Sequence, residues 1–169
     1  TASCHMLNPK WDKPIITISS NRTPHYYSAE VMIEQALALG RACREAIEES
    51  GKRVVLVSSH SLSHRHFVTE SPLPEDMSKE HIYNHSQYVW DMALIKLFRE
   101  GKMKEAIDIM PEFTEQTIAE TEGGGIIWMM GAMDMPDYPA EIYGYQSVIG
   151  TGNCIAAWVP EPDAREIVL

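Results

Sequence analysis

The spacing of apolar positions changes several times along this chain, and each change marks an element. Ile15 to Ser19 is a short β-branched run bounded by Pro14 and the polar stretch Ser20-Asn21-Arg22-Thr23-Pro24, the pattern of a buried strand that opens into a loop. From Ser28 the period lengthens. Met32, Ala36, Leu39, Cys43 and Ile47 form one stripe at helical spacing, with Ser28 suited to the N-cap, Glu30 to the electropositive first turn and Gly51 to the position just past the end. Val54 to Ser58 then reads as a second buried strand. Strand, helix and strand in that order predict a βαβ unit with a parallel pair and a right-handed crossover.

After His66 the pattern becomes irregular. Thr69 to Ser78 carries Pro72 and Pro74 with Glu70, Glu75 and Asp76, and reads as a loop or lid. Helical spacing resumes with Ile82, Val89, Ile95 and Phe98, interleaved with Trp90, Leu94 and Leu97, and stops at Gly101. Apolar on much of its circumference, this helix is expected to pack on two sides. Lys104 to Met110 and Glu112 to Glu122 predict two more helices separated at Pro111, a residue suited to a first helical turn. Gly123-Gly124-Gly125 interrupts before the apolar run Ile126 to Met133. Glu141 to Ile149 and Asn153 to Val159 predict two strands joined by a turn at Gly150-Thr151-Gly152. No repeat or low-complexity tract divides the chain, so residues 1–169 read as a single α/β domain, a βαβ-containing central sheet with helices on its faces.

Composition narrows the function. At 169 residues and 44% hydrophobic content the chain can bury a real core. A formal net charge of -10 argues against a nucleic-acid or anionic-membrane surface, which needs clustered Lys and Arg. A small neutral or weakly charged ligand fits better. Cys4, Cys43 and Cys154 are odd in number and far apart, with no CxxC pair, so neither a disulfide framework nor a thiolate zinc site is expected, and a reducing cytoplasm is the simplest setting. No signal peptide or membrane-length apolar run is present. The start, Thr1-Ala2-Ser3-Cys4-His5-Met6-Leu7, lacks an initiator Met and reads like the middle of a protein, with removal of a leader or tag as the alternative that composition leaves open.

The candidate chemistry lies in Ser59-His60-Ser61-Leu62-Ser63-His64-Arg65-His66, three imidazoles placed where a predicted strand opens into a loop. Strand ends are where α/β proteins carry their sites, and a histidine there can accept and return a proton near neutral pH. His64 and His66 share a face in an extended segment, and His60 and His64 do so in strand or helix. A metal reading of the cluster lacks the helical HExxH arrangement. His60 and His66 are expected to be hydrogen-bonded loop or supporting residues, and His64 is left as the candidate for a catalytic role.

Glu120 and Glu122 precede the three glycines and Trp128. A carboxylate beside glycine backbone can approach a metal or ligand closely. A solvated helix end is the simpler reading and is preferred for Glu122. The glycines lack a GxGxxG or GxxxxGK[ST] frame and follow a helix, which removes a phosphate-loop reading. His5, His25, His81 and His85 are expected to be structural or exposed. Tyr143 and Tyr145 are expected to share one strand face as packing residues, and Met129, Met130, Met133 and Met135 to fill core or an interface.

Three stretches together resemble a known family. The strand followed by Ser59-His60-Ser61-Leu62-Ser63-His64, the segment Ala119-Glu120 through Trp128-Met129-Met130-Gly131-Ala132-Met133, and the ending Tyr143-Gly144-Tyr145-Gln146-Ser147-Val148-Ile149-Gly150-Thr151-Gly152-Asn153 resemble the catalytic subunit of class III (LigB-like) extradiol ring-cleavage dioxygenases. Pro74-Glu75-Asp76-Met77-Ser78-Lys79-Glu80 points to the branch acting on 2-aminophenols. The resemblance implies an Fe(II) held by two His and one Glu, leaving positions for two ring substituents and O2. It makes His64, in the family's LSH motif, the acid/base histidine, and Glu120, eight residues before Trp128, the carboxylate ligand.

The family's two His ligands lie in an N-terminal region that nothing in this chain matches. The resemblance therefore implies the C-terminal part of a LigB-like catalytic domain, completed by an N-terminal half or a companion chain that carries two His ligands, in a homo- or hetero-oligomer. The implied reaction inserts both atoms of O2 into a 2-aminophenol or catechol-type ring and gives a muconic semialdehyde. The alternatives are a non-catalytic structural or regulatory subunit of such an enzyme, or a hydrolase using another divalent metal with the same His and Glu. Substrate-binding residues are not assigned by the sequence.

Overall fold

The computed structural model describes residues 10, 12–18, 28–64, 81–82 and 84–160. The expectations for His5, His25, His66, Cys4 and the loop 69–78 fall outside these residues. The first described element is helix α1, Ala29–Ser50. Its ends are those the local chemistry dictates: the Ser28 side chain accepts a hydrogen bond from the Val31 N–H, and Gly51 closes the helix at a left-handed φ of 61°.

Among the described residues four α-helices follow: α2, His85–Arg99; α3, Met103–Asp108; α4, Met110–Thr117; and α5, Gly124–Ala132. Asn84 caps α2 by accepting from the Ser86 and Gln87 N–H groups, and Pro111 occupies the first turn of α4. The helix expected to reach Glu122 stops at Thr117, because Ile118 turns left-handed at φ 53°. A single 3-10 turn, Glu120–Gly123, then bridges to α5, with Thr121 and Glu122 also at positive φ. The chain reverses there instead of continuing the helix.

The last described elements form an antiparallel hairpin of β1, Glu141–Val148, and β2, Thr151–Ala157. The turn is Ile149–Gly150, both at positive φ (54° and 73°), which is the two-residue geometry that matches strand twist. It is therefore tighter than the expected Gly150–Gly152 connection, and Thr151 and Gly152 belong to the strand. The register slips between Ile142 and Gly144, so Tyr143 is an extra, bulged residue. That slip separates the two tyrosines expected on one face: Tyr143 is exposed and Tyr145 turns inward.

Phe113, Leu94, Met103, Met110, Ile127 and Met130 are the largest fully buried side chains, and they join α2 to α5 in one core. The α1 stripe rotates from the expected one: Ile33, Leu37 and Gly40 face the core while Leu39 is exposed. Gly40 and Gly131 explain why. A Cβ on Gly40 would lie 2.3 Å from the Trp128 carbonyl oxygen, and one on Gly131 2.6 Å from that of Leu37, so α1 and α5 cross backbone against backbone. Helix α2 meets α3 and α4 on one side and the hairpin on the other, where Phe98 and Trp158 pack edge to face at 5.0 Å.

The α/β class stands, as helices with a small antiparallel sheet. The parallel pair expected from residues 15–19 and 54–58 is not formed among the described residues, where the only sheet is the hairpin. A strand needs a hydrogen-bonded neighbour as well as a β-branched sequence, and Ile16 and Val55 are each 87% exposed. Among the described residues no helix is long and apolar enough to cross a membrane, and Cys43 and Cys154 are free thiols.

Candidate active site

Residues 58–64 run from the end of the 54–57 segment across the first turn of α5. Gly125 makes this approach possible, since a Cβ there would stand 2.6 Å from Ser58 Oγ and 3.0 Å from His60 Nδ1. The glycine run thus admits the histidine segment itself.

Each residue from Ser61 to His64 is held by a different part of the fold. The Ser61 N–H donates to Glu120 Oε2 at 2.8 Å, and the Leu62 N–H donates to the Gly152 carbonyl at 2.8 Å. The Ser63 N–H and hydroxyl both donate to the Asp91 carboxylate, at 2.9 and 2.7 Å. The His64 N–H donates to the Thr117 carbonyl at 3.1 Å, while the Gln87 side-chain amide donates to the carbonyls of His64 and Thr117 at 3.2 and 2.9 Å. A segment without regular hydrogen-bond ladders is thereby fixed by α2, α4, the 3-10 turn and the hairpin together.

Glu120 and His64, the two residues singled out in the sequence, meet on Ser61. The Ser61 hydroxyl donates to Glu120 Oε2 at 3.2 Å and lies 2.8 Å from His64 Nδ1. A hydroxyl has one proton. When it is given to the carboxylate, the short contact to the ring requires a proton on Nδ1, and the other ring nitrogen becomes the basic one. The arrangement is a carboxylate, a hydroxyl and an imidazole in series, able to set which nitrogen exchanges protons.

Among the described residues His60 is hydrogen-bonded within its own segment on one side only. Its Nδ1 pairs with Ser58 Oγ at 3.0 Å, and its Nε2 is buried with no hydrogen-bond partner among the described residues. Burial pushes its pKa below the usual histidine range, and the Glu120 charge opposes that shift. Glu122, half-buried, sits in the 3-10 turn rather than on a helix end and lines a cavity of about 280 Å³ between α1 and α4 with Met32, Ala36, Met110 and Thr114. His81 and His85 lie beside a separate open cleft with Tyr88 and Tyr145.

Among the described residues no group of three or more His, Cys, Asp or Glu could hold a metal ion. Glu120 offers one carboxylate, already accepting two hydrogen bonds through one oxygen. The described residues do not themselves make a metal centre.

Ser61, Asp91 and Gln87 were not singled out in the sequence, and Tyr145 was expected only to pack, not to donate to Asp91. A signal existed for two of them. Gln87 and Asp91 occupy the same helical stripe as Leu94, Ile95 and Phe98, and polar groups within an apolar stripe must find partners inside.

Residues 5–156 match the sequence model described as the catalytic LigB subunit of aromatic ring-opening dioxygenase. Over 154 residues, 91% of this chain, it is 49% identical to the 2-aminophenol 1,6-dioxygenase beta subunit of a Pseudomonas species, covering 50% of that protein. It is 26% identical to the 3,4-dihydroxyphenylacetate 2,3-dioxygenase of Escherichia coli, over 76% of this chain and 44% of that protein. The 2-aminophenol 1,6-dioxygenase alpha subunit of Pseudomonas is 23% identical over 85% of the chain and 49% of its own length. The chain spans about half the length of the curated relatives it matches.

Proposed function

The chain belongs to the LigB family of aromatic ring-opening dioxygenases, and we propose that it contributes the proton-handling residues and one metal ligand to a site that opens a 2-aminophenol or catechol-type ring. The overall reaction consumes one O2 per ring, breaks the ring carbon–carbon bond next to a heteroatom-bearing carbon, and leaves both oxygen atoms in a muconic semialdehyde. The 49% identity to a 2-aminophenol 1,6-dioxygenase beta subunit supports the aminophenol. The more distant likeness to a dihydroxyphenylacetate enzyme supports the catechol.

The observation that carries this reading is the Ser61 hydroxyl shared by Glu120 and His64. In the proposed role, His64 takes the proton of the substrate hydroxyl and later returns it to the opening product. With Nδ1 engaged by Ser61, that exchange runs through Nε2. Glu120 accepts the Ser61 N–H and hydroxyl through Oε2 and would offer Oε1 to a metal. Fe(II) is the metal proposed, its two remaining protein ligands being imidazoles from an N-terminal half or a companion chain. The relatives named as alpha and beta subunits favour an oligomeric assembly.

The test is O2 uptake by the complete assembled enzyme, supplied with Fe(II), on 2-aminophenol and on catechol. One O2 consumed per ring opened is expected, with His64→Ala losing most of the turnover. A wild-type enzyme that retains iron yet opens neither ring would overturn the proposal.

A further inference from the structure

Asp91 lies in the middle of α2 between Trp90 and Met92 and is 0% exposed. A buried carboxylate is costly unless donors surround it, because the charge has lost its water. Three donors do so. The Ser63 N–H and hydroxyl reach it at 2.9 and 2.7 Å, and the Tyr145 hydroxyl from β1 at 2.5 Å. Gly152 of β2 closes the arrangement: its N–H donates to the Ser63 carbonyl at 3.1 Å and contacts Ser63 Oγ at 3.2 Å, and a Cβ there would lie 2.0 Å from Asp91 Oδ2. Ser63 is the residue next to His64.

We propose that Asp91 is a positioning residue for ring opening: through Ser63 it clamps the His64 segment between α2 and the hairpin, with Tyr145 and Gly152 as the other jaw. This rests on the function proposed for His64. Asp91 touches no reacting atom, so it acts on where the imidazole sits. Loss of the clamp lowers kcat while leaving KM and iron content in place, because neither Glu120 nor the backbone bond to Ser61 depends on it.

The test compares Asp91→Ala and Asp91→Asn in the complete, iron-loaded enzyme, with Ser63→Ala as a milder break in case the first variant does not fold. An Asn side chain can accept from the Ser63 N–H and donate to the two hydroxyls, since a hydroxyl can reverse its role. Asp91→Ala is expected to lower kcat by about 10–100-fold, the usual range for partners that orient a site, with KM unchanged. Asp91→Asn is expected to restore kcat to within a few-fold of wild type, and Ser63→Ala to fall between. Full kcat in Asp91→Ala, or in Ser63→Ala should the former not fold, would overturn the proposal, as would Asn as inactive as Ala.

Amide hydrogen exchange at residues 62–64 separates this inference from the reaction itself. Faster exchange there in Asp91→Ala or Ser63→Ala, with α1 unchanged, supports the clamp even if the wild-type enzyme opens no ring. Unchanged exchange at these amides removes the clamp whatever the activity.

Discussion

Glu120 and His64 share a single hydroxyl: Ser61 Oγ donates to Glu120 Oε2 at 3.2 Å and stands 2.8 Å from His64 Nδ1. Removing that hydroxyl leaves the Ser61 N–H bond to Glu120 in place but deprives the ring of its Nδ1 partner. Hydrogen bonds to charged groups contribute about 1.5–3 kcal/mol. Ser61→Ala is therefore expected to lower kcat by about 10–100-fold, while metal content changes little. Steady-state kinetics together with iron analysis of the assembled enzyme check this, and iron loss equal to the activity loss would show that Ser61 serves Glu120 alone.

His64 and Glu120 should separate by the quantity each controls. His64→Ala is expected to keep iron and lose turnover by about 100–10,000-fold, the usual contribution of a positioned general acid or base. Glu120→Ala removes the carboxylate proposed as a metal ligand and also the acceptor of the Ser61 N–H. It should lower iron occupancy itself. Equal iron in the two variants would contradict the division of roles.

How legible this arrangement was in the sequence depended on how local each signal is. Ser28 and Gly51 mark both ends of α1 because capping is decided within one turn. The hairpin was visible too, but the slip at Tyr143 arises from pairing with β2, so the facing of Tyr143 and Tyr145 was not readable from alternation. The runs at 15–18 and 54–57 carry β-branched residues, yet composition states only a capacity to pair and not the presence of a neighbour. Motif resemblance pointed to His64 and Glu120, and the fold brings the two together on Ser61. Ser61 and Asp91 were not legible, because what distinguishes them is contact across the fold: Ser61 reaches Glu120 59 positions away, and Asp91 reaches Tyr145 54 away.

The crossing of α1 and α5 makes a sharp stability prediction. Gly40→Ala places a methyl 2.3 Å from the Trp128 carbonyl oxygen and 2.7 Å from the Ala132 nitrogen, both backbone atoms that cannot swing aside. Overpacking of this kind costs roughly 1–3 kcal/mol or more, which for a chain of this size lowers Tm by about 2–12 °C. Gly51→Ala meets nothing within 4 Å and should lose only the left-handed backbone preference, about 1–2 kcal/mol. Thermal unfolding of both variants is the check; a Gly40→Ala protein as stable as wild type would mean that the helices do not touch at this point.

Asp91 should also leave a signature in the pH dependence of stability. Burial pushes its carboxyl above the usual carboxylate range, while the bonds from Tyr145 and Ser63 pull the other way. The titratable groups facing it from the hairpin are Tyr145 and Cys154, both themselves raised, in each case chiefly by burial. A folded-state pKa above the unfolded one means that the folded protein holds the proton longer. Stability from this group is then greatest below about pH 4, where an unfolded Asp titrates, and is lost as pH rises from there through the folded value. Asp91→Asn cannot titrate and lacks that slope. Urea unfolding of both proteins at intervals from about pH 4 to pH 7 should show wild type losing stability relative to Asp91→Asn as pH rises, with the difference levelling once the carboxylate is fully ionised. A difference that runs the opposite way would mean that the three donors outweigh burial and hold the carboxyl below its ordinary value.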